Sequence, residues 1–151
     1  MSVDVTEQVV IERPIDEVAA YVMDPANEPE WMPAIAESRP LTDGPMAPGT
    51  KVRRVAKFLG RRFSYTPEVI AYEPPSLLVM RADRPFEMDI TYRLEAVSRG
   101  TRMSVRLAGG GSGFFRLAGP LLAASVRRSI RGDLRRLRDL VRSRPAATAR
   151  D

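Results

Sequence analysis

Apolar and polar side chains alternate through most of the chain. Between Val3 and Ile11, branched apolar residues occupy one face and Asp4, Thr6 and Gln8 the other, which predicts a half-buried strand. The same two-residue period recurs in "TKVRRVAKFLGRRFSYTPEVIAY", "LLVMRA", "FEMDITYRLEAV" and "TRMSVRLA". With one more strand reached through "AIAESRPL", the pattern predicts about seven antiparallel strands sharing one apolar face.

A tight turn at Gly60–Arg61 is the clearest local prediction, because it brings apolar positions of two strands onto the same face. The expected pairs are Phe58 with Phe63, Ala56 with Tyr65, Arg54 with Pro67 and Val52 with Val69.

Helical signals flank these strands. Pro14 and Asp24 mark the starts of two short helices between the first and second strands. A long helix is expected from Pro120 to Ser143, after a glycine-rich hinge at residues 109–113, and would span about 36 Å. Its apolar stripe recurs at steps of four and three: Leu122, Val126, Ile130, Leu134, Leu137 and Val141.

Composition narrows the chemistry. The 151 residues favour one domain over 1–144, followed by a disordered tail at 145–151. Cysteine and histidine are both absent, which excludes a thiol nucleophile and a serine–histidine hydrolase; we expect no metal and no cofactor. No signal peptide or long apolar span is visible, so a cytoplasmic location is predicted.

The net charge of +5 concentrates on the last helix, in "RRSIRGDLRRLRDLVRSR". No aromatic residues interleave there and no nucleic-acid motif accompanies it, so a solvated face is favoured over nucleic-acid binding. Weak contact with an anionic membrane surface stays open as an alternative.

The order of these elements resembles the helix-grip fold of the SRPBCC (START-like) superfamily and, within it, the polyketide cyclase/dehydrase-like family. The resemblance rests on "IERPIDEVAAYVMDPANEPEW", "GPMAPGTKV", "EVIAYEPPSLLVMRA", "TYRLEAVSRGTRM" and the amphipathic tail. It implies an α+β fold in which a curved seven-stranded antiparallel sheet wraps around the C-terminal helix, with an apolar internal cavity between them. Members of this superfamily bind or transform very different ligands.

A pocket of a few hundred Å³ or more is therefore expected, enclosed and largely apolar. Trp31 is either a core plug at the end of the sheet or part of the cavity wall. The expected ligand-binding residues are Trp31, Arg54, Phe63, Tyr65, Met80, Met88, Tyr92 and Met103. Each of them could instead belong to a packed core.

Two charges interrupt the apolar face. Arg54 falls between inward positions of its strand, and Glu7 lies between Val5 and Val9. A buried charge needs a partner, a ligand or a route to water. Arg54 is thus either an anchor for a ligand carboxylate, carbonyl or phosphate, or a strand residue that extends to solvent.

Three functions remain open. The favoured one is binding of a hydrophobic small molecule, polyketide-, lipid- or isoprenoid-like. The second is a cofactor-independent cyclase or dehydratase, with catalytic residues unknown. Aromatase/cyclase relatives are thought to use a serine and an arginine on the fourth strand, where this sequence has Pro67 and Val69. The third is a lipid or quinone chaperone. The oligomeric state stays open.

Overall fold

The structure is a computed structural model that describes residues 3–58, 60–84, 87–109 and 113–145. Outside the described residues lie Phe86, the middle of the expected hinge and most of the expected tail; the side chains of Phe58 and Leu122 are likewise not described. The strands are β1 (Val3–Ile11), β2 (Ile35–Pro40), β3 (Val52–Phe58), β4 (Arg61–Tyr65), β5 (Glu68–Glu73), β6 (Leu77–Ala82), β7 (Met88–Val97) and β8 (Gly100–Gly109).

The fold is α+β, with a wrapped antiparallel sheet and a long C-terminal helix. Eight strands form a five-stranded sheet of order β1-β8-β7-β6-β5 and a three-stranded sheet of order β2-β3-β4. Backbone hydrogen bonds connect β3 and the residues before it to β5 and the residue before it: the Val52 N–H donates to the Pro67 carbonyl at 3.0 Å, the Val69 N–H to the Thr50 carbonyl at 2.8 Å and the Gly49 N–H to the Val69 carbonyl at 2.8 Å. The prediction of seven strands was wrong because the expected fourth strand divides at Pro67, which has no N–H for the ladder.

The hairpin between β3 and β4 has a different register from the one expected. Tyr65 pairs with Arg54 instead of Ala56, and Phe63 pairs with Ala56. The turn precedes Arg61 and contains Gly60 at φ 77°, a conformation that favours glycine. The shift is two residues, so it preserves the faces, and Arg54, Phe63 and Tyr65 still point the same way.

The helices are α1 (Ile15–Val22), α2 (Glu28–Trp31) and α3 (Gly113–Ser143), with a 3-10 turn at Pro25–Asn27 before α2. The Asp24 side chain accepts a hydrogen bond from the Ala26 N–H at 3.0 Å, so the expected cap is confirmed. The start of α3 was predicted too late, because the helix continues through Pro120.

Helix α3 packs on the inward face of the sheet, mainly against β1, and also contacts α2. Its stripe is buried at Ile130, Leu134, Leu137 and Val141. The end of the helix is fixed by Arg13, which follows β1 and donates to the carbonyls of residues 142 and 144 at 2.7 and 2.6 Å. These bonds satisfy carbonyls that a helix end otherwise leaves unpaired.

Candidate functional site

A cavity of about 190 Å³ lies between the inward face of the sheet and α3. It is smaller than expected and reaches the surface beside Lys57 and Ser129, which are exposed. Its wall is mostly apolar and is formed by Met32, Ala34, Ile35, Arg54, Ala56, Lys57, Phe63, Tyr65, Met88, Ile90, Tyr92, Val105, Leu107, Val126, Ser129, Ile130 and Asp133.

Five of the eight residues expected from the sequence line this cavity: Arg54, Phe63, Tyr65, Met88 and Tyr92. The other three are buried in the core outside the lining. Met103 lies opposite Leu94 and is one row beyond the cavity-lining Val105 on the same face of β8. Met80 pairs with the cavity-lining Ile90 on the neighbouring strand and is 1% exposed.

Trp31 ends α2 and is only 1% exposed. Its ring meets Tyr92 edge-on, with ring centroids 5.8 Å apart, so it lies behind a cavity-lining side chain. The indole N–H is buried and has no hydrogen-bond partner among the described residues. Of the two interpretations of Trp31, this geometry matches the core plug.

A buried network of charged and hydroxyl groups closes the inner end of the cavity. Arg54 and Glu28 are each 2% exposed and form a two-point ion pair, with Nε–Oε1 at 2.9 Å and NH2–Oε2 at 2.5 Å. Arg54 also donates to the hydroxyls of Tyr65 at 3.3 Å and Tyr92 at 3.0 Å. Glu28 accepts from Ser38 Oγ at 2.5 Å and from the Tyr92 hydroxyl at 3.3 Å. We call these five residues the inner network.

Of the two alternatives for Arg54, extension to solvent is wrong, because the residue is 2% exposed. The ligand anchor stays a prediction; Arg54 lines the cavity, with its Nε and NH2 bound to the Glu28 carboxylate. Burial alone would lower the pKa of Arg54, but the charge and hydrogen bond of Glu28 together with Tyr92 and Tyr65 outweigh burial and raise that pKa well above the ordinary value. Burial and the charge of Glu28 also raise the pKa of Tyr92, so its hydroxyl keeps its proton.

Asp133 is the acidic group in the cavity wall and lies on α3. Its side chain is 14% exposed and forms a long ion pair with Arg136, at 3.9 Å. Burial disfavours the carboxylate, and the charge of Arg136 offsets this only in part, so the pKa of Asp133 is raised to about 7. The cavity therefore contains a carboxyl group that exchanges its proton near neutral pH.

Glu7 faces α3 and does not line the cavity. Its carboxylate accepts hydrogen bonds from Arg127 at 2.6 Å and Arg131 at 2.8 Å. Burial would raise the pKa of Glu7, yet these hydrogen bonds together hold it below its ordinary value. Glu7 thus links β1 to α3.

The sequence interpretation missed Glu28, Ser38 and Asp133. Glu28 lies in a stretch rich in acids and prolines that looks like a solvated loop, and no local pattern marks it as the partner of Arg54. Asp133 could have been found, because it falls three residues after Ile130 and four before Leu137, beside the apolar stripe.

The described part of the chain contains no cluster of three or more metal-ligating acids. Within the same ranges, no helix is long and apolar enough to cross a bilayer. The basic face of α3 is largely paired, by Arg127 and Arg131 with Glu7, Arg136 with Asp133, Arg138 with Asp139, and Arg142 with Glu12.

The sequence matches the family described as "Polyketide cyclase / dehydrase and lipid transport" over residues 2–142. The chain belongs to this family, and its SRPBCC-type fold is confirmed. Among curated proteins, no sequence matches it.

Solved structures support the same fold. The Zhui aromatase/cyclase from Streptomyces sp. R1128 superposes with a TM-score of 0.80 at 17% identity, covering 99% of both chains. Ara h 8.0201 gives 0.70 at 17% identity, over 95% of this chain and all of the other. The di-domain ARO/CYC StfQ from the steffimycin biosynthetic pathway gives 0.72 at 12% identity, over 94% of this chain and 51% of its own.

Proposed function

We propose that this protein binds a small hydrophobic molecule in the cavity between the sheet and α3. The observation that carries the proposal is an apolar cavity with one group of fixed polar side chains, the inner network, at its closed end. Ligand sites characteristically combine an apolar wall with a few precisely held polar groups.

The volume suggests a compact ligand. An engineered apolar cavity of about 150 Å³ binds benzene, so about 190 Å³ suits a ligand of one or two fused rings. Met32 and Met88 are in the wall, and methionine side chains repack easily around different shapes. The family description and the aromatase/cyclase names of two similar structures favour a polyketide-like compound.

Naphthalene fluorescence provides the test. The wild-type protein should bind naphthalene saturably, with one site per chain. Val126→Trp should abolish binding, because Val126 lines the cavity from α3 and a larger side chain would fill it. Val10→Trp is the matched control, since Val10 is 38% exposed on β1 and does not line the cavity. Equal binding by both variants would refute the proposal.

A cyclase or dehydratase activity is the second candidate, and Asp133 favours it. General acid–base catalysis is most efficient when the pKa of the catalytic group is near the working pH, and Asp133 meets this condition inside the cavity. In an enzyme, Asp133→Asn should retain naphthalene binding while turnover of a polyketide-like substrate falls at least about a hundredfold. Unchanged turnover would show that Asp133 is not a catalytic residue.

The chaperone alternative has less support. It requires α3 to contact an anionic membrane, but five of the helix arginines are paired with carboxylates. Membrane contact and cytoplasmic location both stay predictions.

A further inference from the structure

The charge balance of the inner network bears on which ligands the cavity accepts. Arg54 uses Nε and NH2 on the two oxygens of Glu28, so the two buried charges cancel. A ligand anion at this end would meet an arginine whose counter-charge is already present. Burying a charge without its own partner is strongly unfavourable, so the inner end disfavours carboxylates and phosphates.

The two tyrosines of the network differ in what they offer a ligand. The Tyr92 hydroxyl accepts from Arg54 and lies 3.3 Å from Glu28 Oε2, to which its proton is donated. The Tyr65 hydroxyl accepts from Arg54 NH1 at 3.3 Å, and its proton has no acceptor among the described residues. Of the two cavity-lining tyrosines, Tyr65 is therefore the one whose hydroxyl proton is available to a ligand.

The environment strengthens this donor. An O–H whose oxygen already accepts from a guanidinium is polarised and becomes a better donor, and the effect is larger in a poorly solvated site. A carboxylate could also accept from this hydroxyl, but it would bury a charge without a partner of its own, so a neutral acceptor such as a ketone or aldehyde oxygen suits the site better.

We propose, on the basis of the binding function above, that the ligand is a neutral carbonyl compound whose oxygen accepts from Tyr65, and that Glu28 determines this specificity. Glu28 acts by neutralising Arg54. Asp133 adds to the effect where it is ionised, since its carboxylate in the same wall then repels an anion. Lys57 is the cationic side chain at the mouth, so an anion that does bind should lie there and depend on Lys57.

The test compares three probes with the same ring system: naphthalene, acetonaphthone and naphthoate. Wild-type protein should bind acetonaphthone at least tenfold more tightly than naphthoate. Tyr65→Phe should weaken the binding of acetonaphthone about tenfold and leave the binding of naphthalene unchanged. Tyr72→Phe is the matched control, because Tyr72 is outside both the cavity lining and the inner network.

Glu28→Gln should leave the charge of Arg54 without a counter-charge and so strengthen naphthoate binding at least tenfold. Glu30→Gln is its control on the same helix, since Glu30 accepts from Tyr21 and not from Arg54. If Glu28→Gln does not fold, the wild-type preference and the Tyr65→Phe result still decide the matter.

The inference is overturned if naphthoate binds the wild type as tightly as acetonaphthone, or if Tyr65→Phe weakens binding of acetonaphthone and naphthalene alike. It is also overturned if folded Glu28→Gln protein binds naphthoate no more tightly than wild type does. Absence of naphthalene binding would instead refute the proposed binding function itself, so the two failures are distinguishable.

Discussion

Arg54 and Glu7 both lie on inward positions of their strands, and the molecule accommodates them in opposite ways. Arg54 is 2% exposed and is paired with an equally buried carboxylate and two tyrosines. Glu7 keeps 14% of its side chain exposed and is paired with arginines that are 42% and 55% exposed. An inward charge at the cavity end thus becomes part of a candidate site, whereas one beside α3 becomes a link between elements.

The largest effect should follow from separating the buried pair. Arg54→Met leaves Glu28 as a buried charge without a partner and should lower the free energy of unfolding by about 3–5 kcal/mol. Urea denaturation measures this loss. The double variant with Glu28→Gln should lose less than Arg54→Met alone, because neither charge then remains unpaired. A single-variant loss below about 1 kcal/mol would contradict the buried pairing.

The second prediction concerns the apolar contacts that hold α3 on the sheet. Leu137 is fully buried, so Leu137→Ala should cost about 2–5 kcal/mol by urea denaturation. Leu121 is 83% exposed, and Leu121→Ala should change the stability by less than about 0.5 kcal/mol. Similar losses in the two variants would mean that the buried stripe is assigned to the wrong face.

Asp133 extends the comparison to a charge with a weak partner. Its folded-state pKa of about 7 lies above the ordinary 3.8, so the folded protein holds a proton that the unfolded chain loses between these values. Wild-type stability should therefore fall as pH rises through this window. Asp133→Asn should be more stable than wild type by about 1–2 kcal/mol at pH 8, allowing for partial solvent screening. The difference should vanish near pH 4; a constant difference across pH would contradict the raised pKa.

The smallest effect is expected at Glu7. Glu7→Gln should cost about 0.5–1 kcal/mol, because its arginine partners are partly exposed. The loss should shrink at high salt. Since the pKa of Glu7 is lowered, its contribution is present above the ordinary 4.5 and disappears as pH falls through the folded-state pKa. A cost above about 2 kcal/mol, or one that does not change with salt, would mean that the Glu7 ion pairs behave like the buried Arg54–Glu28 pair.

The sequence predicted the fold class and one member of the buried ion pair, Arg54. Alternation placed Arg54, Phe63 and Tyr65 on the inward face, and a two-residue error in register left that face unchanged. The division of the fourth strand could have been predicted from Pro67. The burial of Glu28 could not, because it depends on where α2 packs over the sheet, and Glu28 and Arg54 are 26 residues apart in the chain.

Sequence periodicity also could not predict which of the inward residues line the cavity. Met103 and Val105 share a face of β8, so alternation cannot show that one lines the cavity while the other is covered. Packing of neighbouring elements against the sheet decides this, and it involves residues far apart in the chain.

Occupation of this cavity by a hydrophobic ligand can be measured by NMR of protein with ¹³C-labelled methionine methyl groups during titration with naphthalene. Ring currents act over short distances, so the methyl signals of Met32 and Met88 in the cavity wall should shift. The signals of Met80 and Met103, buried outside the wall, should hardly move. Equal shifts at all four methionines, or none at Met88, would contradict ligand binding in this cavity.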